Sequence, residues 1–222
     1  MNGINTVLFD LDGTLIDTEK YFRRVWPQTL REAGFEMSDE QALSMRSLGR
    51  PYAPEHLKRM FGEGADYTAL RARRKVLMEE MIAREGISLK KGAVELVTRL
   101  HELGFTAAIV TATDRERTER YLGSTELKLS CFDRFVSATM VEKGKPAPDV
   151  YLYALKELNK RPDECVAVED APNGILSAYR AGLRVIMVPD QDEPDEELKK
   201  CLWARADSLE DIIPLLCGNN VE

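Results

Sequence analysis

Three carboxylates, Asp10, Asp12 and Asp17, follow directly on an apolar run in the stretch TVLFDLDGTLIDT, residues 6–18. Val7, Leu8 and Phe9 read as a strand buried on both faces. Asp10 and Asp12 then crowd negative charge at that strand's C-terminal end, where like charges repel and an unpaired buried carboxylate is costly. Other apolar runs are followed by residues of a kindred sort: Thr111 and Thr113 in VTATD, Lys145 in KGKPAPD, and Glu169 and Asp170 in VEDAPNGI. Singly, each has an ordinary reading as a helix cap, a β-branched filler or a solvated lysine. In an open parallel sheet ligands bind outside the C-terminal ends of the strands, and these runs bring four carboxylates, two hydroxyls and one ammonium to that one rim.

Oxygen donors without histidine or thiol suit a hard cation, and Mg²⁺ uses one or two carboxylates together with waters and phosphate oxygens. Asp10 and Asp170 are the candidate ligands, with Glu169 behind them. A cation there relieves the carboxylate repulsion and draws in a phosphate, whose other oxygens can be bound by Thr111, the backbone N–H of Ala112 and Lys145. The Gly144-Lys145 pair is no P-loop, because the glycine spacing is absent and Pro146 follows the lysine.

The elements that position these residues follow from periodicity. Short β-branched runs at 6–10, 105–113, 134–139, 164–170 and 184–189 read as strands, and the segments 91–104, 148–159 and 172–183 carry helical spacing, with Gly104 and Gly182 placed to end two of them. Alternating strand and helix predicts a parallel α/β sheet covered on both faces. Residues from about Thr18 to Gly86 read as helices only, an insertion returning through short hinges, and Pro27 is placed to kink the first of them. Its basic knot, RARRK at Arg71–Lys75, reads as the wet face of a helix, and the acidic DQDEPDEE at 190–197 as a solvated loop entering a helix. There is no internal repeat or low-complexity tract.

Composition excludes several classes. The 222 residues carry a net charge of −7, against nucleic-acid binding by bulk electrostatics. No apolar run approaches a membrane span, and the N-terminus lacks a signal pattern. Cys131, Cys165, Cys201 and Cys217 show no C-x-x-C spacing and read as reduced, mostly buried thiols. With only His56 and His101, both expected on helices, a histidine-rich zinc site or a Ser-His-Asp triad has little to work with. A soluble, cytoplasmic monomer is the expectation.

The full set of motifs resembles the haloacid dehalogenase superfamily, in the subgroup with a small helical cap after the first strand. DLDGTLIDT is similar to its first motif, VTATD with Thr111 to its second, GKPAPDVY with Lys145 to its third and VEDAPNGI with Glu169 and Asp170 to its fourth, in the family's order across essentially the whole chain. The resemblance implies a Rossmann-like core of residues 1–16 and 89–222 and an all-helical cap of residues 17–88. It implies a Mg²⁺-dependent phosphatase of small phosphorylated metabolites, sugar phosphates above all. Asp10 is then the nucleophile that forms an aspartyl-phosphate, and Asp12 the general acid and base, its backbone carbonyl also touching the metal. Lys145 neutralises charge, and the metal set is Asp10, Asp12, Glu169 and Asp170. Arg50 resembles a phosphate-gripping arginine of the family's mutases, and Arg46, Tyr52 and Lys58 are further candidates to face the site.

Three other readings compete. Dehalogenases of the superfamily lack the second carboxylate, and Asp12 is present. A sugar phosphate mutase such as β-phosphoglucomutase shares all four motifs, but the position of its cap histidine is Phe22 here. A non-catalytic binding module predicts damage to Asp10, Asp12, Lys145 or Asp170, and all four are intact.

Overall fold

The computed structural model describes residues 3–218. Among them, β1 (Thr6–Phe9), β2 (Thr106–Thr111), β3 (Arg134–Ser137), β4 (Cys165–Glu169), β5 (Arg184–Met187) and β6 (Ala204–Arg205) form one parallel sheet. Its order is β3-β2-β1-β4-β5-β6, that of a doubly wound fold. The chain moves outward from β1 to β2 and β3, then crosses to β4 on the other side. The order therefore reverses between β1 and β4, the two strands that end in Asp10 and Glu169. Five strands are those expected from the apolar runs; β6 is an addition, two residues long at the sheet edge.

The helices α1 (Glu19–Glu32), α2 (Asp39–Ser44), α3 (Tyr52–Phe61) and α4 (Tyr67–Glu85) all precede α5 (Ala93–Glu102), which leads into β2. After it come α6 (Arg115–Gly123), α7 (Asp149–Leu158), α8 (Pro172–Arg180), α9 (Glu196–Lys199) and α10 (Ile212–Cys217). Both faces of β1 are buried because successive side chains point opposite ways. Val7 and Phe9 join Leu96, Leu100, Leu122 and Ile212 of α5, α6 and α10 on one side. Leu8 joins Val150, Tyr151, Ile175 and Ala178 of α7 and α8 on the other.

The four helices after β1 bury separate apolar clusters. Trp26, Leu30, Met45 and Leu57 centre one; Tyr21, Val25, Leu77, Met78 and Met81 join α1 to α4 in another. α1 runs unbroken through Pro27. Asp66 caps α4 by accepting from the amides of Thr68 and Ala69. Gly104 and Gly182 follow α5 and α8 with φ of +78° and +81°, as their spacing predicts.

Two surface expectations need correction. Of the four free thiols only Cys165 is buried, because the others lie at chain turns and ends rather than in strands. The acidic loop is not merely solvated: Asp190 and Asp192 turn inward to ion-pair with Lys90 and Arg46. Among the described residues, no helix is long and apolar enough to cross a membrane.

Candidate active site

The site grows from the end of β1. The amide of Asp10 still donates to Val168 O at 3.0 Å, so the first carboxylate stands where the ladder stops. The chain then folds into a tight turn in which Leu15 and Ile16 donate to Leu11 O and Gly13 donates to Ile16 O. Gly13 sits at φ +88°, and a Cβ there would fall onto the Asp170 carboxylate, so the position requires glycine on both counts.

Asp12 is gripped from two sides. Thr18 donates to its Oδ1 and Thr113 to its Oδ2, each at 2.7 Å. Thr18 occupies the N-cap of α1, yet its hydroxyl leaves the helix uncapped in favour of Asp12. Both oxygens are thus fixed by groups from different parts of the chain, which orients the carboxylate without an ion pair.

Lys145 is fully buried and bridges the strand ends. Its Nζ donates to Asp10 Oδ1 and Glu169 Oε1, both at 2.6 Å, and to Val110 O at 3.1 Å. Burial alone would lower its pKa, but the two carboxylates raise it above the ordinary lysine value, so it remains an ammonium. Burial raises Asp10, and the lysine opposes that shift. Tyr151 donates to the same Glu169 Oε1 at 2.5 Å, whereas Glu169 Oε2 is buried with no partner. A Cβ on Gly174, in the first turn of α8, would fall onto that carboxylate.

Asp10, Glu169 and Asp170 each offer an oxygen within 4.8 Å of the others. Without a cation, burial and the nearby carboxylates outweigh the lysine and arginine, pushing Glu169 up to about 8 and Asp170 up to about 7. Three crowded hard oxygens, one of them on a carboxylate with an unpartnered atom, fit a hard divalent cation.

Asp10, Asp12, Arg50 and Ala112 line one cavity, together with Thr113 and Arg46. Thr111, Lys145, Glu169 and Asp170 are fully buried behind its wall. Thr111 Oγ1 accepts from the Thr113 amide at 3.0 Å, which leaves its hydroxyl proton free to donate. Tyr52 is outside the lining, and Lys58 faces solvent, paired with Glu63 at 2.5 Å. Arg46, on the turn after α2, is buried and ion-pairs with Asp170, with Glu19 at 3.4 Å and with Asp192 at 2.9 Å. The basic knot of α4 also departs from the wet-face expectation: Arg73 is exposed and pairs with Glu32, but Arg71 and Arg74 line the cavity.

Several residues of this site escape sequence reasoning. The grips of Thr18 and Thr113 on Asp12, and of Tyr151 on Glu169, exist only once distant segments meet. Glu19 carries the one local signal, a charge immediately after the first motif; it is buried, its pKa lifted well above the usual range by burial and by Asp170.

Further along, the turn after α2 also meets the core through its backbone. Gly49 N donates to Lys145 O at 2.8 Å and Gly144 N to Arg50 O at 2.7 Å. A Cβ on Gly49 would lie 2.7 Å from Gly144 Cα, and one on Gly144 2.9 Å from Gly49 Cα.

Comparison with known proteins agrees with this architecture. The family model for haloacid dehalogenase-like hydrolases matches residues 4–182. Protein CbbY of Rhodobacter capsulatus is 31% identical over 212 residues, 90% of this chain and 92% of the relative. Hexitol phosphatase A of Escherichia coli is 36% identical over 184 residues, 82% of this chain and 81% of the relative. The crystal structure of CbbY from Rhodobacter sphaeroides in complex with phosphate superposes with a TM-score of 0.76 at 27% identity, covering 94% of this chain and 96% of that one.

Proposed function

The chain belongs to the haloacid dehalogenase-like hydrolase family, and from that premise we propose that it is a Mg²⁺-dependent phosphatase of small sugar phosphates working through an aspartyl-phosphate. The observation that carries this reading is the pair Asp10 and Asp12 on one cavity wall, the first held by Lys145 and the second by two threonine hydroxyls. The similarity to hexitol phosphatase A supports the substrate class.

In the first step an Asp10 oxygen bonds to phosphorus as the ester P–O bond breaks, and Asp12 gives its proton to the departing alcohol. In the second, Asp12 takes a proton from water, the water oxygen bonds to phosphorus, and Asp10 leaves with its carboxylate restored. Thr18 and Thr113 keep Asp12 aimed at both tasks. The Thr111 hydroxyl, the Ala112 amide and the Lys145 ammonium serve the phosphoryl oxygens, and Arg50 lines the same cavity. Asp10, Glu169, Asp170 and the Asp12 carbonyl would hold Mg²⁺, which when bound offsets carboxylate charge and polarises the phosphoryl group.

Residues 17–88 form the cap and residues 1–16 and 89–222 the core in this reading. Its support is the separate apolar clusters of α1–α4 and the pairing of both crossing points, where Asp17 N donates to Ser88 O at 2.9 Å and Lys90 N to Leu15 O at 2.9 Å. Phe22 lines the cavity at the mutase's histidine position and has no proton to exchange, which disfavours the mutase.

The test is a screen of phosphorylated metabolites with Mg²⁺, using EDTA and Asp10→Asn protein as blanks. Phosphate release confined to the Mg²⁺ arm of the unmodified enzyme is the expected result. Rapid conversion of β-glucose 1-phosphate to glucose 6-phosphate, outpacing phosphate release, would instead establish the mutase.

A further inference from the structure

Arg46 sits on the turn after α2, yet its guanidinium ends at the rim of the sheet. One terminal nitrogen, Nη2, donates to Asp170 Oδ2 and reaches the Asp170 carbonyl at 3.5 Å. The other, Nη1, donates to Asp192 Oδ2 at 2.9 Å. The side chain is 3% exposed, and Asp170 is fully buried. A residue of the helical insertion thus neutralises one of the three carboxylates that suit a divalent cation. A guanidinium and such a cation on the same carboxylate repel each other, strongly so where water is excluded.

Three buried polar atoms around this contact have no hydrogen-bond partner: Arg46 Nε, Glu19 Oε2 and Asp192 Oδ1. Each is unfavourable as it stands. Arg46 Nε lies 3.4 Å from Glu19 Oε2, close enough for an ion pair but not hydrogen-bonded. Asp192 Oδ1 belongs to a carboxylate whose other oxygen already accepts from Arg46. One shift of the guanidinium off Asp170, onto Glu19 and Asp192, satisfies all three atoms together. A planar fork of five donors suits acceptors on two neighbouring carboxylates. The backbone need not follow, because Asn173 of α8 donates to Arg46 O at 2.8 Å and keeps the turn seated.

We infer that Arg46 is a placeholder at the cation site: it holds Asp170 until a divalent cation loads, and is then handed over to Glu19 and Asp192. Affinity for the cation is therefore set partly by a residue outside the sheet, since loading must displace Arg46. The inference rests on the metal reading proposed above, and metal binding tests it without any turnover.

Mn²⁺ is the probe, with the free ion counted by electron paramagnetic resonance and Mg²⁺ measured by displacement, both without substrate. Arg46→Met should bind either ion at least about tenfold more tightly than the unmodified chain. Asp192→Asn removes an acceptor for the displaced guanidinium and should bind at least about threefold more weakly. In the double variant the Asp192→Asn effect should shrink below about twofold, because no guanidinium is left to receive. Arg23→Met removes an exposed cation of α1 that meets the same loop at Gln191, and should leave affinity within about twofold. The Arg46 Nε–H is also followed by NMR in the unmodified chain, so the result does not depend on a variant that folds. It should move downfield as Mg²⁺ is added and it gains an acceptor. Equal or weaker binding by Arg46→Met, equal tightening by Arg23→Met, an Asp192→Asn effect that persists in full without Arg46, or an Nε–H unmoved at saturating Mg²⁺ would each overturn the proposal while leaving the metal reading standing. No Mn²⁺ binding by any of these proteins would overturn both.

Discussion

At the sheet end of the cavity, Asp10, Glu169 and Asp170 share two cations, Lys145 and Arg46, and all five groups are buried. At the helical end, Arg71 and Arg74 line the same space with no carboxylate paired to them. The first arrangement is fixed by main chain, because parallel strands end side by side and each delivers its residue to the same rim. The second is made of long side chains reaching in from α4 and α6, held by aromatic faces and hydroxyls. The sheet end thus carries more carboxylate than cation, and the helical end more cation than carboxylate.

The largest effect expected from breaking the reacting end is in rate. Asp10→Asn removes the nucleophile with little change of shape and should cost at least about a thousandfold, or about 4 kcal/mol of barrier. Wild-type turnover by a sequence-verified variant would end the covalent mechanism. Lys145→Ala should lower the rate by about 10²–10³. It should also destabilise the fold by about 3–5 kcal/mol in urea titrations, because Asp10 and Glu169 lose their shared buried partner. A rate loss with unchanged stability would show that the bridge is not structural.

Arg46→Ala sharpens the contrast from the other side of the rim. It strands Asp170 and Glu19, and about 3 kcal/mol of stability should be lost. Saturating Mg²⁺ should return part of it; no recovery would separate Asp170 from the metal site. A smaller effect follows from the raised carboxyls, Asp170 near 7 and Glu169 near 8. The folded chain without a bound cation keeps protons that the unfolded chain sheds in the ordinary carboxylate range, so stability should fall as pH rises from about 4 to about 8 and level off above it. Mg²⁺ replaces those protons, so it should raise the melting temperature more at pH 8 than at pH 6. Equal shifts at both pH values would argue against metal at these carboxylates. Smallest of all, Lys58→Ala should change stability by less than about 0.5 kcal/mol, since its pair with Glu63 is solvent-exposed.

The same contrast governs how much could be read from the chain alone. The strands and the residues that close them were legible because burial on both faces leaves uninterrupted apolar runs, as in TVLF and CVAVE. β6 was not, since Ala204–Arg205 at the edge carries no such run. RARRK misled for a different reason. α4 meets α1 through Leu77, Met78 and Met81 in its second half, while its first half turns Arg71 and Arg74 toward the cavity, so charge there does not mean solvent. The acidic loop misled likewise, since Asp192 looks solvated until Arg46 is near. Polar residues whose partners lie far along the chain carry no local mark of burial.

The backbone seam at Gly49 and Gly144 has a mechanical consequence. Hydrogen bonds of 2.7–2.8 Å weaken steeply with separation, so a ligand that wedges the turn after α2 from the core by roughly 1 Å releases both at once. One of those bonds ends on the carbonyl of Lys145 itself. The seam therefore couples the position of that turn to the loop that carries the Lys145 ammonium, so that displacing the one would loosen the other.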